Sequence, residues 1–599
     1  MYVFENPVLQ RELLVNLRMT RAFILLFLYQ ALLGAVVYFA WPQDERLDLT
    51  VDADSARTLV DMFFLGQYLL ASMMAPSFAA GTITGEKERL TYEMLLASPL
   101  RPSAIVFGKL VASLTHLAVL IFSSLPIVML CLPLGGVHLQ ELLAAYLGLF
   151  VSVITFGAIS VACSAFFKRT AASLVVSYLL ILPLAITGAL VWYGLSDFGE
   201  FRLLLTVIVM PSAGAALCIM LFFSTSARLL HPPDVGSEGK EVVDLEQEAQ
   251  QAVGLVIQSD QFPDKLFAPA KRDDLMADGA NPVYDKEIRS EIFSQGTLML
   301  RLVIQVSMLL AIPLMAACLY IMPQYAPWYI AYVVMFNMLV GPVFSAGSVT
   351  SERERQTLDL LLTTIITPWQ ILWGKLVAGL RVSSVLTSFL LWPVLLACVM
   401  VTSYWSNLGA VAAYLGIVLL TCVNTAMLAL FCSVVFHKSS TSLMSTYALI
   451  IFLFCAPVAF LFFMNAFFPD RYADRPDVVG RIEKLAADGK SDSDIAAELG
   501  RLGVVNAQGQ TDHWREEDVA SARTRAAIHR WAPWTGAVSP FVAAFETPLD
   551  VDVYDEQEGA VRRGSWGSVA AFAIASLVMD LSLLGMMMWL FQRRWRVAG

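Results

Sequence analysis

Twelve apolar runs leave this chain few folds to choose from. They lie at about 22–40, 59–80, 103–133, 141–167, 171–193, 201–225, 298–321, 327–348, 369–402, 405–436, 440–467 and 566–591. At 1.5 Å of rise per residue, each is long enough as a helix to cross roughly 30 Å of hydrocarbon. Composition agrees: 57% of the 599 residues are hydrophobic, only 15% are charged, and the mean hydropathy is +0.66. These values exclude an ordinary soluble domain and predict an all-α, polytopic integral membrane protein. Its formal charge of −10 matters less than where the charges fall. All eight cysteines (131, 163, 218, 318, 398, 422, 432 and 455) sit in apolar runs with no CxxC, which reads as core packing and not as disulfides or a metal site. Met1 to Arg21 is polar and amphipathic, so no cleavable signal peptide is expected.

One polar segment between spans occurs twice. Ala80 to Leu96 reads AGTITGEKERLTYEMLL, and Ala346 to Leu362, 266 residues further on, reads AGSVTSERERQTLDLLL. The same offset carries Ile105, Gly108, Lys109, Leu110, Val111 and Ala112 onto Ile371, Gly374, Lys375, Leu376, Val377 and Ala378. So many identities in one register mark an internal duplication. Each half also opens on a similar amphipathic start: Asn6-Pro7 with Arg11 and Glu12, then Asn281-Pro282 with Lys286 and Glu287. Asn as cap, Pro in the first turn and an apolar stripe behind them predict a helix lying in the headgroup layer.

The organisation that follows is a first six-span unit over 1–225, a polar linker over 226–280 and a second six-span unit over 281–599. The second unit carries a long polar loop, 469–565, between its last two spans. Lys and Arg placement satisfies the positive-inside rule with about 12 spans and both termini in the cytoplasm. An even number of spans per half inserts both in the same sense, related by an axis along the membrane normal.

Read as continuous helices, the two polar segments align Glu86, Arg89 and Glu93, and again Glu352, Arg355 and Asp359, in one row. Tyr92, Leu95 and Leu96, with Leu358, Leu361 and Leu362, give the other side an apolar patch, and Ser351 with Glu354 fits a capping box. Taken alone, such a segment is a surface helix that turns the chain, its ion pairs contributing about 0.2–0.5 kcal/mol each. Its recurrence at the same place in both halves favours a docking element. Gly108-Lys109 and Gly374-Lys375 lack the Gly and Ser/Thr of a phosphate loop, so no nucleotide site is expected in this chain. They read as ends of the third and ninth spans, with the lysines snorkelling to headgroups.

Asn-Pro-Val-x-x-basic-Glu before the first span, the Glu-x-Glu-Arg-x-Thr-x-acidic-x-Leu-Leu segment after the second and Gly-Lys entering the third together resemble the permease of type 2 ATP-binding-cassette (ABC-2) exporters. The resemblance covers nearly the whole chain, with two permease units fused. It implies two tandem six-helix bundles, a pore between them, elbow helices at Asn6, Pro7, Arg11, Glu12, Asn281, Pro282, Lys286 and Glu287, and cytoplasmic coupling helices. On those helices Glu86, Glu88, Arg89, Glu93, Glu352, Glu354, Arg355 and Asp359 would engage a separate cytosolic ATPase, with two copies expected. ATP and Mg would be held by that partner, with no cofactor in this chain. The setting implied is the cell (inner) membrane and the direction export.

Asp580, near the middle of the last span, is costly there and must face a bundle interior or a wet cavity. A structural partner, the translocation path and a proton relay are its three readings. His116, Asn337 and Asn424 lie inside other spans. In the long loop, residues 481–525 resemble a small helical module of some serine recombinases, yet 469–565 holds 18 acidic against 12 basic residues. That is a poor footprint for phosphates, so no nucleic acid is expected, only a few short extracytoplasmic helices and a candidate surface for an extracytoplasmic partner. A proton-coupled carrier working through Asp580 and a membrane scaffold are the rival functions.

Overall fold

The computed structural model describes residues 6–17, 51–88, 91–129, 138–167, 170–194, 199–230, 281–289, 311–354, 356–467, 476–487, 490–501, 534–549 and 564–594, with scattered positions in 27–38, 307–309 and 519–523. Among these residues there is no strand, and the protein is an all-α polytopic membrane protein. Eight of the described helices are long and apolar enough to cross a membrane. The count is nine if Pro102–Thr115 and Leu117–Met129, bent by 41°, form one span. Of the twelve expected runs, 22–40 lies largely outside the described residues and 298–321 partly so.

In the first half, helix α1 (Pro7–Leu17) precedes α2 (Val51–Ala79), and two short helices follow, α3 (Gly81–Glu88) and α4 (Tyr92–Leu96). Then come α5 (Pro102–Met129), α6 (Leu139–Phe166), α7 (Thr170–Gly194), α8 (Gly199–Leu204) and α9 (Met210–Leu230), the last two joined by a π turn at Leu205–Val209. The second half repeats the series. Helix α10 (Pro282–Arg289) matches α1, α11 (Ala326–Ala346) matches α2, and α12 (Thr350–Glu354) and α13 (Leu358–Leu362) match α3 and α4. Helices α14 (Pro368–Met400), α15 (Leu408–Val435) and α16 (Ser439–Ile450) stand for α5, α6 and the start of α7. Even the prolines recur: Pro76 inside α2 falls on Pro342 inside α11. A helix in lipid tolerates such a residue because neighbouring helices satisfy the freed carbonyl.

Contacts divide the chain into two compact units. One comprises 1–406, 418–449 and 579–599, the other 407–417 and 450–578. Within the first unit, α11 packs against α7, so the two halves meet there. Tyr178 and Tyr447 lie edge to face at 5.1 Å, and each hydroxyl donates to a carbonyl of its own half, Met73 at 2.7 Å and Leu339 at 2.6 Å. Both rings are almost fully buried, so the hydroxyls need those acceptors. The span over Gly199–Leu229 is the opposite case, presenting Leu204, Val207, Ile208, Ile219 and Phe223 outward. An apolar face of that kind is solvated by hydrocarbon.

In the second unit, helices Pro476–Ala487 and Asp492–Arg501 pack around Val478, Ile482, Ile495, Leu499, Val519 and Ala522. The long polar loop therefore carries a small helical core of its own.

Candidate functional site

Each polar segment is two short helices and not one. In the second half the break is at Gln356, the one non-glycine residue with positive φ (58°) among the described residues. The Gln356 amide donates to Arg353 O (3.0 Å) and the Thr357 amide to Glu352 O (2.9 Å), the pair of bonds that closes a helix C-terminus in a Schellman turn. Thr91 N to Glu86 O (3.0 Å) repeats the outer bond in the first half. Glu86 and Glu352 also accept the hydroxyls of Thr91 and Thr357, which ties each carboxylate to the turn. The single helical row of Glu86, Arg89 and Glu93, and of Glu352, Arg355 and Asp359, is thereby broken; Arg89 and Arg355 lie outside the described residues. The capping box of Ser351 and Glu354 does not form either, because Glu354 is engaged elsewhere.

Both segments are latched to the turn that joins α6 to α7, or α15 to α16. Lys87 donates to the carbonyls of Ser164 (3.2 Å), Ala165 (2.6 Å) and Phe167 (2.9 Å), and Arg353 to those of Val434 (2.7 Å) and Phe436. A cation thus closes a helix C-terminus, where the unpaired carbonyls concentrate negative potential. Glu88 accepts the amide and hydroxyl of Thr170 at 2.8 and 3.1 Å, and Glu354 those of Ser439 at 3.1 and 2.8 Å. An anion thus caps the N-terminus of the next helix, the favourable sign at that end. Deeper in, Ser164 Oγ accepts the amides of Ile83 and Thr84, both at 2.9 Å. Ser433 Oγ accepts those of Val349 and Thr350 at 2.9 and 3.0 Å. Three bonding patterns therefore coincide, and each ties its segment to that turn.

The amphipathic helices close the other side. Asn6 and Asn281 cap α1 and α10, each Oδ1 accepting an amide two residues on at 3.0 Å. Their Nδ2 atoms donate across to Ala104 O and Gln370 O, at 2.5 and 2.8 Å. Gly108 and Gly374 make room: a Cβ would come within 2.8 Å of Asn6 or 3.0 Å of Asn281. Lys109 and Lys375 are buried, 3% and 2% exposed, so they do not snorkel to headgroups. Lys109 reaches Thr82 O (2.8 Å), Glu86 (3.4 Å) and Glu12 (3.8 Å); Lys375 reaches Ser348 O (2.7 Å), Glu287 (2.5 Å) and Glu352 (3.8 Å). A buried ammonium needs such partners, because its desolvation is offset only by paired charge and hydrogen bonds. Lys286 adds an ion pair to Glu352 at 2.7 Å.

Both central carboxyls lie on the polar segments past the apolar spans. Burial alone would raise them, but the Thr91 hydroxyl and the charges of Lys109 and Arg11 hold Glu86 below the ordinary range. Lys286, Thr357 and Lys375 do the same for Glu352 against the same desolvation. Each segment thus carries a stable anion at its core.

What faces outward is a different set. Tyr92 and Leu358 are buried, Tyr92 against Ala79, Ile83, Val106 and Leu229, while Leu95, Leu96, Leu361 and Leu362 are half-buried. Met94 and Leu360 point out, 75% and 69% exposed, flanked by exposed Glu93 and Asp359. Asp580 is buried within the helix Trp566–Arg594. Sequence reasoning missed Ser164, Ser433, Thr170 and Ser439, which lie about 80 residues from their partners with no local signal. Met94 and Leu360 were legible only as two apolar residues out of step with the inward stripe.

The model of the ABC-2 family transporter protein family matches residues 8–201 and 202–594. No curated protein and no solved structure matches the chain. Two family matches that together span almost the whole length, on an all-α membrane architecture whose polar segments recur with the same bonds, identify the chain as a member of the ABC-2 transporter family.

Proposed function

We propose that this chain is the transmembrane permease subunit of an ATP-driven exporter, two permease units (1–225 and 281–599) joined by the linker 226–280. It works with two copies of a separate cytosolic ATPase that bind ATP and Mg²⁺. Each two-helix tip docks one copy through Met94 and Glu93, or through Leu360 and Asp359. Glu86, Glu88, Glu352 and Glu354 act one step behind that contact. They hold each tip rigidly to the turn between the fourth and fifth spans of its half, so that a push on the tip becomes a displacement of those spans. The elbow residues around Asn6, Glu12, Asn281 and Glu287 brace the third spans. In this reading both termini are cytoplasmic, the protein resides in the inner membrane, transport is outward, and the loop 469–565 is extracytoplasmic.

The observation that carries the reading is the duplication of an exposed apolar residue on a latched tip. A surface helix that merely turned the chain would need neither the exposure nor the latch twice. The test is a mild-detergent pull-down of the tagged chain from its native cell with mass spectrometry of what accompanies it. Recovery of a soluble ATPase with wild type and its loss in Met94→Asp/Leu360→Asp is the expected result. Absence of any ATPase under several detergents would overturn the reading.

A further inference from the structure

At the end of the first half opposite the tips, α2, α6, α7, α9 and the π turn line a narrow, open apolar cleft of about 50 Å³. Phe64, Leu65, Leu149, Ala189 and Met210 line it, and Gly148 and Gly188 keep it open. A Cβ on Gly188 would collide with the Tyr68 hydroxyl, and one on Gly148 would stand 3.0 Å from the Thr206 methyl. Leu65, on the wall, is exposed, as are Leu204, Val207 and Ile208 on the adjoining span. The mouth therefore opens onto the hydrocarbon-facing surface. The π turn at Leu205–Val209 widens the helix beside it, a distortion frequent at functional sites.

Charge sits at one end of this apolar space. Trp192, which lines the cleft, donates its indole N–H to Asp61 Oδ1 at 3.1 Å and lies under the Arg202 guanidinium at 4.5 Å. Arg202 is 3% exposed, yet its Nη1 stands 3.9 Å from Asp61 Oδ1, too far for a hydrogen bond, and has no acceptor among the described residues. A buried guanidinium donor without an acceptor marks a missing oxygen ligand. Nor is the arrangement a shared property of the halves. Counted in register from the matched threonines Thr84 and Thr350, Asp61 falls on Pro327 and Tyr68 on Val334.

We propose that the first half binds one zwitterionic phospholipid here. An acyl chain lies along the cleft from the bilayer side, the phosphate oxygens accept from Arg202 Nη1, and the headgroup ammonium pairs with Asp61. Adjacent fixed cation and anion at the rim of an apolar cleft suit a phosphate and an amine joined by a two-carbon bridge in one headgroup. An anionic lipid would leave Asp61 facing like charge.

The test uses the full chain, delipidated in detergent, with native mass spectrometry and thermal stability read after adding back phosphatidylethanolamine, phosphatidylglycerol or inorganic phosphate. Wild type should retain phosphatidylethanolamine preferentially and melt higher with it, and inorganic phosphate alone should do neither. Arg202→Gln should weaken retention roughly tenfold or more, the scale of a charge-assisted hydrogen bond. Ala189→Leu, which fills the cleft but keeps the charged cluster, should do the same and guards against an Arg202 variant that fails to fold. Equal retention of both lipids by wild type, or unchanged retention in Ala189→Leu, would overturn the proposal. A full effect from inorganic phosphate alone would also overturn it, leaving a phosphate site without a lipid. Because none of these readouts requires an ATPase, this result stands apart from that of the exporter reading.

Discussion

Ser164 and Ser433 each accept two backbone amides from the polar segment of their own half, and Glu88 and Glu354 each cap the helix that follows. A few turns deeper the halves diverge. Asn337 Nδ2 lies within 3.1 Å of Ser383 Oγ, Thr387 Oγ1 and Cys422 Sγ, and its Oδ1 accepts from Thr425 at 3.0 Å. Counting along each helix from the matched residues, those five positions fall in the first half on Ala71, Leu117, Ile121, Val153 and Phe156, all buried and all apolar. Gly341, whose Cβ would stand 3.0 Å from Ser383 and Thr425, falls on Ala75. The difference separates two tasks. On the reading proposed above, transmission at the polar end requires the same geometry twice, whereas the packing of each bundle has only to be satisfied, by a closed polar knot in one half and by hydrocarbon contact in the other.

The largest expected effect contrasts the two buried lysines. Lys375→Met removes the buried ammonium that pairs with Glu287, itself 17% exposed, and should cost about 3–5 kcal/mol, the scale of a broken buried pair. Lys109→Met should cost less, because Glu12 and Glu86 are 33% and 24% exposed and better hydrated. Melting temperatures of the purified variants in one detergent check the order, and equal losses would show that the two clusters are not graded by burial.

Next comes the polar knot. Ala71→Asn puts an amide at a buried position whose register-matched neighbours, Leu117, Ile121, Val153 and Phe156, are all buried and apolar, for about 1–3 kcal/mol. Asn337→Ala, which orphans hydroxyls able to turn back onto their own helix carbonyls, should cost about 1 kcal/mol. If Ala71→Asn were the milder of the two in the same melting assay, the apolar and polar cores would be less distinct than their contacts indicate.

Much of this was readable from residue order. The apolar runs announced a helical membrane protein, and the matched Glu-Arg segments announced two related halves, because both signals are local and repeat in register. The bend in each polar segment was hidden, since Gln356 takes the left-handed turn that glycine would have advertised. The direction of the carboxylates was hidden too. Glu88 and Glu354 look like solvated surface charge until Thr170 and Ser439, more than 80 residues later, are brought against them by the folding of α6 and α15. Burial of Lys109 and Lys375 depended likewise on the amphipathic helices returning Glu12 and Glu287 to the third spans.

The central claim is that the two tips are equivalent docking points for a separate ATPase. Native mass spectrometry of the complex recovered from the native cell counts the copies directly. The account predicts two ATPase subunits on wild type, one on Met94→Asp or Leu360→Asp alone, and none on the double variant, with the fold of the permease unchanged because both side chains are exposed. An ATPase count that does not respond to either tip, or a permease that carries no ATPase at all, would contradict it.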